Sequence, residues 1–299
     1  MFSRNRFFVP ITLCALLFFP LSVFAQESKQ SNGLYYASFR GQSSPSKELL
    51  ATLERQALWE QESGNHNPTG LRLRFVKIDD QKTPEGVVAA RYRIFAEGAA
   101  ENKVFAFGSW TIGKTFTTES RDIYVNGQGL LMNHKPLPEQ EMSLQDPDEL
   151  VVQPVTVTAE PMRYALTPRD GQTQIFGTVV PHPLVADEQG CRLEVLLGEP
   201  AAKSVLFVID GFPVKSRISL VLESEGKSMS QVVVTNQDGH AVLAAFPYIT
   251  GKTQGSIKAS AEGPNCLPSV VLPWGQADQP PAAAPAAPSA PAAATAPAH

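Results

Sequence analysis

From about residue 71 to residue 274 apolar side chains recur at every second position in short runs, and each run ends at Gly, Pro, Asn or Asp. A helix cannot use that period, because its buried face repeats every three to four residues, whereas a strand turns alternate side chains to opposite faces. Leu71, Leu73 and Phe75 show it, as do Val87, Ala89, Tyr92, Ile94 and Ala96 beyond the turn Thr83, Pro84, Glu85, Gly86. Val104 to Trp110 alternates again. Ile123 to Val125 and Leu130 to Met132 flank Asn126, Gly127, Gln128 and Gly129, residues that tolerate positive φ and so predict a hairpin. Strands are expected to resume at Val151, with Val155 and Val157, then Tyr164 and Leu166, then Ile175 and Val179, the last two runs joined through Pro168, Arg169, Asp170 and Gly171.

One segment breaks the rule. Leu49, Leu50, Leu53, Ala57 and Leu58 fall at helical spacing, Ser44 and Pro45 suit a helix start, and Gly64 suits its stop. Residues 133–150 are rich in Pro, Glu and Asp without periodicity and read as a long loop.

After Pro181 and Pro183 a second stretch carries seven short strands at regular spacing: Arg192 to Leu197, Ser204 to Ile209, Arg217 to Leu222, Gln231 to Thr235, Ala241 to Phe246, Ser256 to Ala261 and Ser269 to Leu272. So many strands in so short a stretch is the profile of a β-sandwich. Asp210, Gly211, Phe212 and Pro213 follow one strand, and Thr235, Asn236, Gln237, Asp238 and Gly239 turn into Ala241 to Phe246. On these turns the stretch resembles the Ig-like modules found in tandem on secreted and surface proteins of bacteria. The resemblance implies a fold rather than an activity, since its motifs are turn chemistry. It extends loosely to the first stretch through Phe95, Ala96, Glu97, Gly98 and the strand to Trp110.

The expected fold class is therefore all-β: two Ig-like β-sandwich domains in tandem, one N-terminal helix in the first, and a disordered Ala/Pro-rich tail. The boundaries read as 26–43 for a flexible leader, 44–183 for the first sandwich with its helix, 184–275 for the second, and 276–299 for a solvated, semi-stiff tail. Residues 1–25 read as a cleavable secretory signal: Arg4 and Arg6, an apolar run from Phe7 through Phe24, then Val23, Phe24, Ala25 before polar residues. No later run is apolar enough for a transmembrane segment. The place of action is accordingly outside the cytoplasm, secreted or in the periplasm and cell envelope.

Export makes the cysteines informative. Cys191 and Cys266 alone remain after cleavage, and in an oxidising compartment such a pair reads as one disulfide. Closing a loop of about 76 residues stabilises by roughly 4 to 5 kcal/mol on the chain-entropy account.

Charge excludes one class of partner. Taking the two signal arginines from 25 basic residues leaves 23 against 29 acidic ones, with no concentrated basic face, so no nucleic-acid footprint is seen. The histidines are scattered, without zinc spacing, and His182 and His240 read as surface residues. No Gly-x-Ser-x-Gly elbow occurs. Asp146, Asp148 and Glu149 cluster oxygens that could bind calcium, and Asp79 with Asp80 invites the same thought, without the spacing of a calcium loop. Apart from that calcium no cofactor is expected.

Aromatic residues offer a carbohydrate-binding face. Trp59, Trp110, Trp274, Tyr35, Tyr36 and Tyr124 are the candidates, core packing explains most of them, and Trp110 with Tyr124 are the ligand-binding residues to test. Trp110 should face away from Phe105 and Phe107 on its strand. The expectation is a non-catalytic binding, adhesive or structural module whose partner is an envelope protein or polysaccharide. A secreted hydrolase or a carbohydrate-binding accessory protein is the alternative.

Overall fold

The computed structural model describes residues 29–31, 34–39, 45–62, 67–84, 86–101, 103–133, 148–169, 171 and 174–275. The expected signal at 1–25, the tail at 276–299, most of the leader, Gly64 and Asp146 lie outside the described residues. Strands dominate what is described, with one α-helix, as the alternation requires.

The first sandwich has two sheets. Strands β3 (Arg72–Lys82), β4 (Val88–Glu97) and β8 (Val151–Val152) form one, in that order. The other runs β10 (Ile175–Val179), β9 (Met162–Pro168), β5 (Val104–Trp110), β6 (Thr117–Val125) and β7 (Leu131–Met132). Their inner faces meet in a core that includes Leu73, Ile94, Phe105, Phe107, Ile123, Tyr164, Leu166 and Ile175. Tyr164 stacks on Phe107 at 5.3 Å, and burial, aided by the nearby charge of Glu119, pushes its phenol pKa up. The β6–β7 turn is closed by Asn126, whose Oδ1 accepts the amides of Gln128 and Leu130. Val155 and Val157 depart from expectation. They stand in irregular chain between β8 and β9, Val155 exposed and Val157 packed on the other sandwich.

The second sandwich holds the seven expected strands: β12 (Cys191–Leu197), β13 (Val205–Asp210), β14 (Arg217–Ser224), β15 (Lys227–Val234), β16 (Ala241–Phe246), β17 (Gly255–Glu262) and β18 (Ser269–Trp274), with β11 (Leu184–Glu188) before them. Strands three apart in the chain become neighbours, β13 beside β16 and β14 beside β17, so the chain crosses between the sheets repeatedly. Gly211 shows why its turn demands glycine: φ is +71°, and a Cβ there would lie 2.1 Å from the Gly190 carbonyl oxygen. The Cys191–Cys266 disulfide forms, with Cα atoms 6.3 Å apart, tying the start of β12 to the turn between β17 and β18.

The N-terminal elements belong elsewhere than expected. Strands β1 (Lys29–Ser31) and β2 (Leu34–Ser38) extend the second sandwich, β2 pairing in parallel with β16 to give the order β1-β2-β16-β13-β12-β11. Residues 34–38 are thus a strand, where a flexible leader was expected. Helix α1 (Lys47–Glu62) packs Leu53 and Ala57 on Leu196, Leu206, Val242, Ala244 and Phe246, the outer face of that same sheet. Gln56 fastens it by donating from Nε2 to the Leu197 carbonyl at 2.6 Å. The helix therefore serves the second sandwich rather than leading the first. Ser46 caps it, since the Leu49 amide donates to Ser46 Oγ at 3.1 Å, and Ser44, the expected start, lies outside the described residues. The first sandwich is consequently strung between two parts of the chain that build the second.

Loops of the first sandwich close the end of the second. Ile112, Val157 and Ala159 join the core that holds Leu197, Ala202 and Val205. Ala159 also relays main-chain bonds across the junction, its amide donating to His182 O at 2.9 Å and its carbonyl accepting from the Leu197 amide at 2.8 Å.

Candidate functional site

Strand β5 sets up the first feature. Its alternation buries Phe105 and Phe107 and leaves Trp110 half-buried on the outer face of the five-stranded sheet, as expected. Gly108, on the same strand, lets a ring lie flat against the backbone: a Cβ there would fall 2.2 Å from Phe116 Cζ. Phe116 remains 49% exposed, with its centroid 5.7 Å from that of Trp110. Phe176 of β10 meets Trp110 edge-on at 6.4 Å. Asn67 holds Phe176 in place from outside the sheet, donating from Nδ2 to its carbonyl at 3.0 Å and accepting its amide at 2.6 Å. That side chain supplies partners to an edge strand that would otherwise present bare polar groups. Buried Ser109 donates its hydroxyl to Glu119, pinning β6 beside the cluster.

Register carries this face to a second feature. Trp110 lies opposite Arg163 and Arg163 opposite Thr178, so the three form one cross-strand row on one face. Arg163 is buried. Thr178 lines a cleft of about 510 Å³ between the sandwiches, together with Arg72 and Arg74 of β3, Pro183, and Arg192 and Glu194 of β12. Arg72 and Arg74 both donate from Nε to Glu97, whose carboxyl is held below the usual carboxylate range by those two bonds. Arg74 also lies 4.2 Å over the Phe95 ring. Arg192 pairs with Glu194 at 3.1 Å and approaches Asp187 at 3.7 Å.

The residues singled out from sequence do not all converge. Tyr124 is half-buried opposite Val104, at the far end of β5, and is roughly 20 Å from Trp110 by strand rise. Glu149 gives its carboxylate to Arg93 at 2.6 Å, and the Asp148 carbonyl accepts from the Asn133 amide at 2.7 Å. Asp79 is bonded to Arg91, whose guanidinium lowers its pKa, and Asp80 to Lys77 at 2.8 Å. Among the described residues no three His, Cys, Asp or Glu side chains come together as metal ligands. Trp274 is fully buried, its Nε1 donating to Ser224 Oγ at 3.0 Å.

The two histidines read as surface residues are half-buried instead. His240 Nδ1 lies 2.6 Å from Asp210 Oδ1, which docks the Asn236–His240 turn on the end of β13. His182 sits between Pro181 and Pro183 at the junction with Nε2 buried and without a hydrogen-bond partner among the described residues, and burial holds its pKa below the usual histidine value. The cleft arginines were missed in the sequence. Their only trace there is Arg72-Leu73-Arg74-Phe75, cationic residues alternating with core ones.

No family model matches the sequence, and no curated protein matches it closely. Among solved structures the chain is similar to a crystal structure of a tetra-tandem repeat in the extending region of a large adhesion protein, at 11% identity and a TM-score of 0.22. That similarity covers 68% of this chain, and the chain spans about half (48%) of the adhesion-protein chain.

Proposed function

We propose that this protein is a non-catalytic binding module of the cell envelope or exterior, exported by the signal at 1–25 and carried or spaced by its Ala/Pro-rich tail. The observation that carries this reading is the ring cluster on the outer face of the five-stranded sheet, where Phe116 is 49% exposed and half-buried Trp110 packs beside it. Aromatic rings clustered on the outer face of a sheet suit an extended ligand held by stacking. The disulfide fits an oxidising compartment, and among the described residues no helix is long and apolar enough to cross a membrane. Strand order in the second sandwich supports kinship with Ig-like modules, which the turn motifs suggested.

Within that class the rings favour a carbohydrate chain, the accessory-protein reading. The test is retention of the purified protein on immobilised peptidoglycan and polysaccharides, alongside turnover assays on glycosides and esters. Retention without turnover, lost in Trp110→Ala, is the expected result. Turnover of any substrate that survives Trp110→Ala would contradict it.

A further inference from the structure

Among the described residues Phe116 keeps 49% of its surface exposed beside half-buried Trp110. What the chain itself brings to that spot is decided by where β18 ends. Gly275, which follows Trp274, donates its amide to the Ala201 carbonyl at 2.9 Å. Beside Ala201, Pro200 lies against Gly113, since a Cβ on that glycine would sit 3.4 Å from Pro200 Cγ. Gly113 belongs to the loop between β5 and β6 that also carries Phe116, three residues further on. Followed along this path at ordinary bond lengths, Gly275 and Phe116 are at most about 30 Å apart.

Residues 276–299 depart from Gly275, and their sequence has a period suited to rings. Pro285, Pro288 and Pro291 recur at every third position with only Ala and Ser between them. Polyproline II has three residues per turn, so this spacing aligns the three pyrrolidines along one edge, roughly 9 Å apart. Aromatic-lined sites take up such an edge at small entropic cost, because proline sets the conformation beforehand. No residue from Gln279 to Ala298 carries a charge, so approach to the rings strips water from no ion. The reach suffices. Pro285 is ten residues beyond Gly275, about 31 Å at the polyproline II rise, which matches the outer limit of the path.

We infer that the segment Pro285–Pro291 docks on Phe116 and Trp110 of its own chain and competes there with ligand. The competition rests on the reading of the ring cluster as the binding face, whereas the docking does not. Tethering supplies the strength: a segment held this near its site meets it at an effective concentration of roughly millimolar. Contacts too weak to hold separate molecules together then cover the rings for a large part of the time. Ligand binds only the uncovered fraction, and its apparent affinity falls in proportion.

The experiment uses the full chain. A nitroxide is attached through Ser289→Cys, off the proline edge, and its broadening of amide resonances is read over a range of protein concentrations. The wild-type rings and prolines are compared with Phe116→Ala and with Pro285→Ser, Pro288→Ser and Pro291→Ser combined. Without the label, equilibrium binding to peptidoglycan and to dextran is measured for the wild type and the triple proline variant. The inference expects broadening at residues 111–117 that is independent of concentration and lost in both variants. It also expects whichever polysaccharide is retained to bind the triple proline variant about threefold more tightly or better. Broadening absent from 111–117, or unchanged in both variants, would overturn the docking. Broadening that grows with protein concentration would place the segment on a second copy and overturn it as well. Docking without any gain in polysaccharide affinity would overturn the competition. Docking with neither polysaccharide retained by either form would overturn the competition and the binding reading together, with the docking itself upheld.

Discussion

Strands β16 and β3 show how differently the two sandwiches are built. Strand β16, Ala-Val-Leu-Ala-Ala-Phe, is buried at every position, because the opposing sheet covers one face, α1 covers the other, and β2 and β13 flank it within the sheet. Strand β3 is longer, 11 residues, yet beyond Phe75 it is exposed throughout, and Val76 and Ile78 stand 36% and 38% exposed. Lys77, Asp79 and Asp80 carry charges there, and a bulge interrupts its register between Lys77 and Asp79, features that discourage edge-to-edge pairing. The second sandwich is thus a three-layer body, and the first is a two-layer attachment whose edges and outer face are left for contact. Stability is concentrated in one region and candidate binding surface in the other.

That contrast can be broken experimentally, starting with the largest effect. Replacing Cys191 and Cys266 together by Ala should cost about 4 kcal/mol by urea unfolding, with amides of the first sandwich losing little hydrogen-exchange protection in native conditions. Equal loss in both sandwiches would show that the two do not differ as described. Next, Leu53→Ala removes a side chain with no exposure from the helix–sheet layer and should cost about 3 kcal/mol. A change under about 1 kcal/mol would mean that the third layer is dispensable.

Ile112→Ala sharpens the comparison, because the residue belongs to a first-sandwich loop but packs in the second core. The expected cost is about 2 kcal/mol, with faster amide exchange in Leu193–Leu197 and Val205–Phe207. Faster exchange confined to residues 104–125 would deny the shared core.

The smallest effect is pH-dependent. His182 has a lowered pKa when folded, so folding favours its neutral form, and its contribution is full above the unfolded value of about 6.5 and declines as pH falls through that value toward the folded one. Lys77 and Asp80 of β3 are the charges that bear on it, Lys77 reinforcing the shift and Asp80 opposing it. His182→Gln should flatten the melting temperature between pH 7 and pH 5 relative to wild type, and an unchanged slope would assign the dependence to other groups.

Much of this architecture was legible. Period-two alternation located the strands of the second sandwich within a few residues, and Asp210-Gly211 and Asn236-Gln237-Asp238-Gly239 marked its turns, because one-face burial and positive φ leave local traces. The disulfide followed from compartment and parity. Assignment of α1 did not follow, since a helix's apolar stripe says what it buries and not against which sheet. The unbroken apolar run of β16 was the available sign, as only a strand covered on both faces dispenses with polar positions. Of the candidate site, alternation set the face of Trp110, whereas the separation of Tyr124 from it, and the approach of Arg192 and Thr178 to one cleft, come from tertiary packing alone.

Hydrogen exchange of the full chain with and without a polysaccharide that retains it tests most directly that the ring cluster on the five-stranded sheet is where ligand binds. The account predicts slowed exchange in segments 108–116 and 174–178, and little change at the Glu223–Ser228 hairpin of the second sandwich. Protection centred on that hairpin, or absent from the ring cluster while ligand is bound, would contradict it.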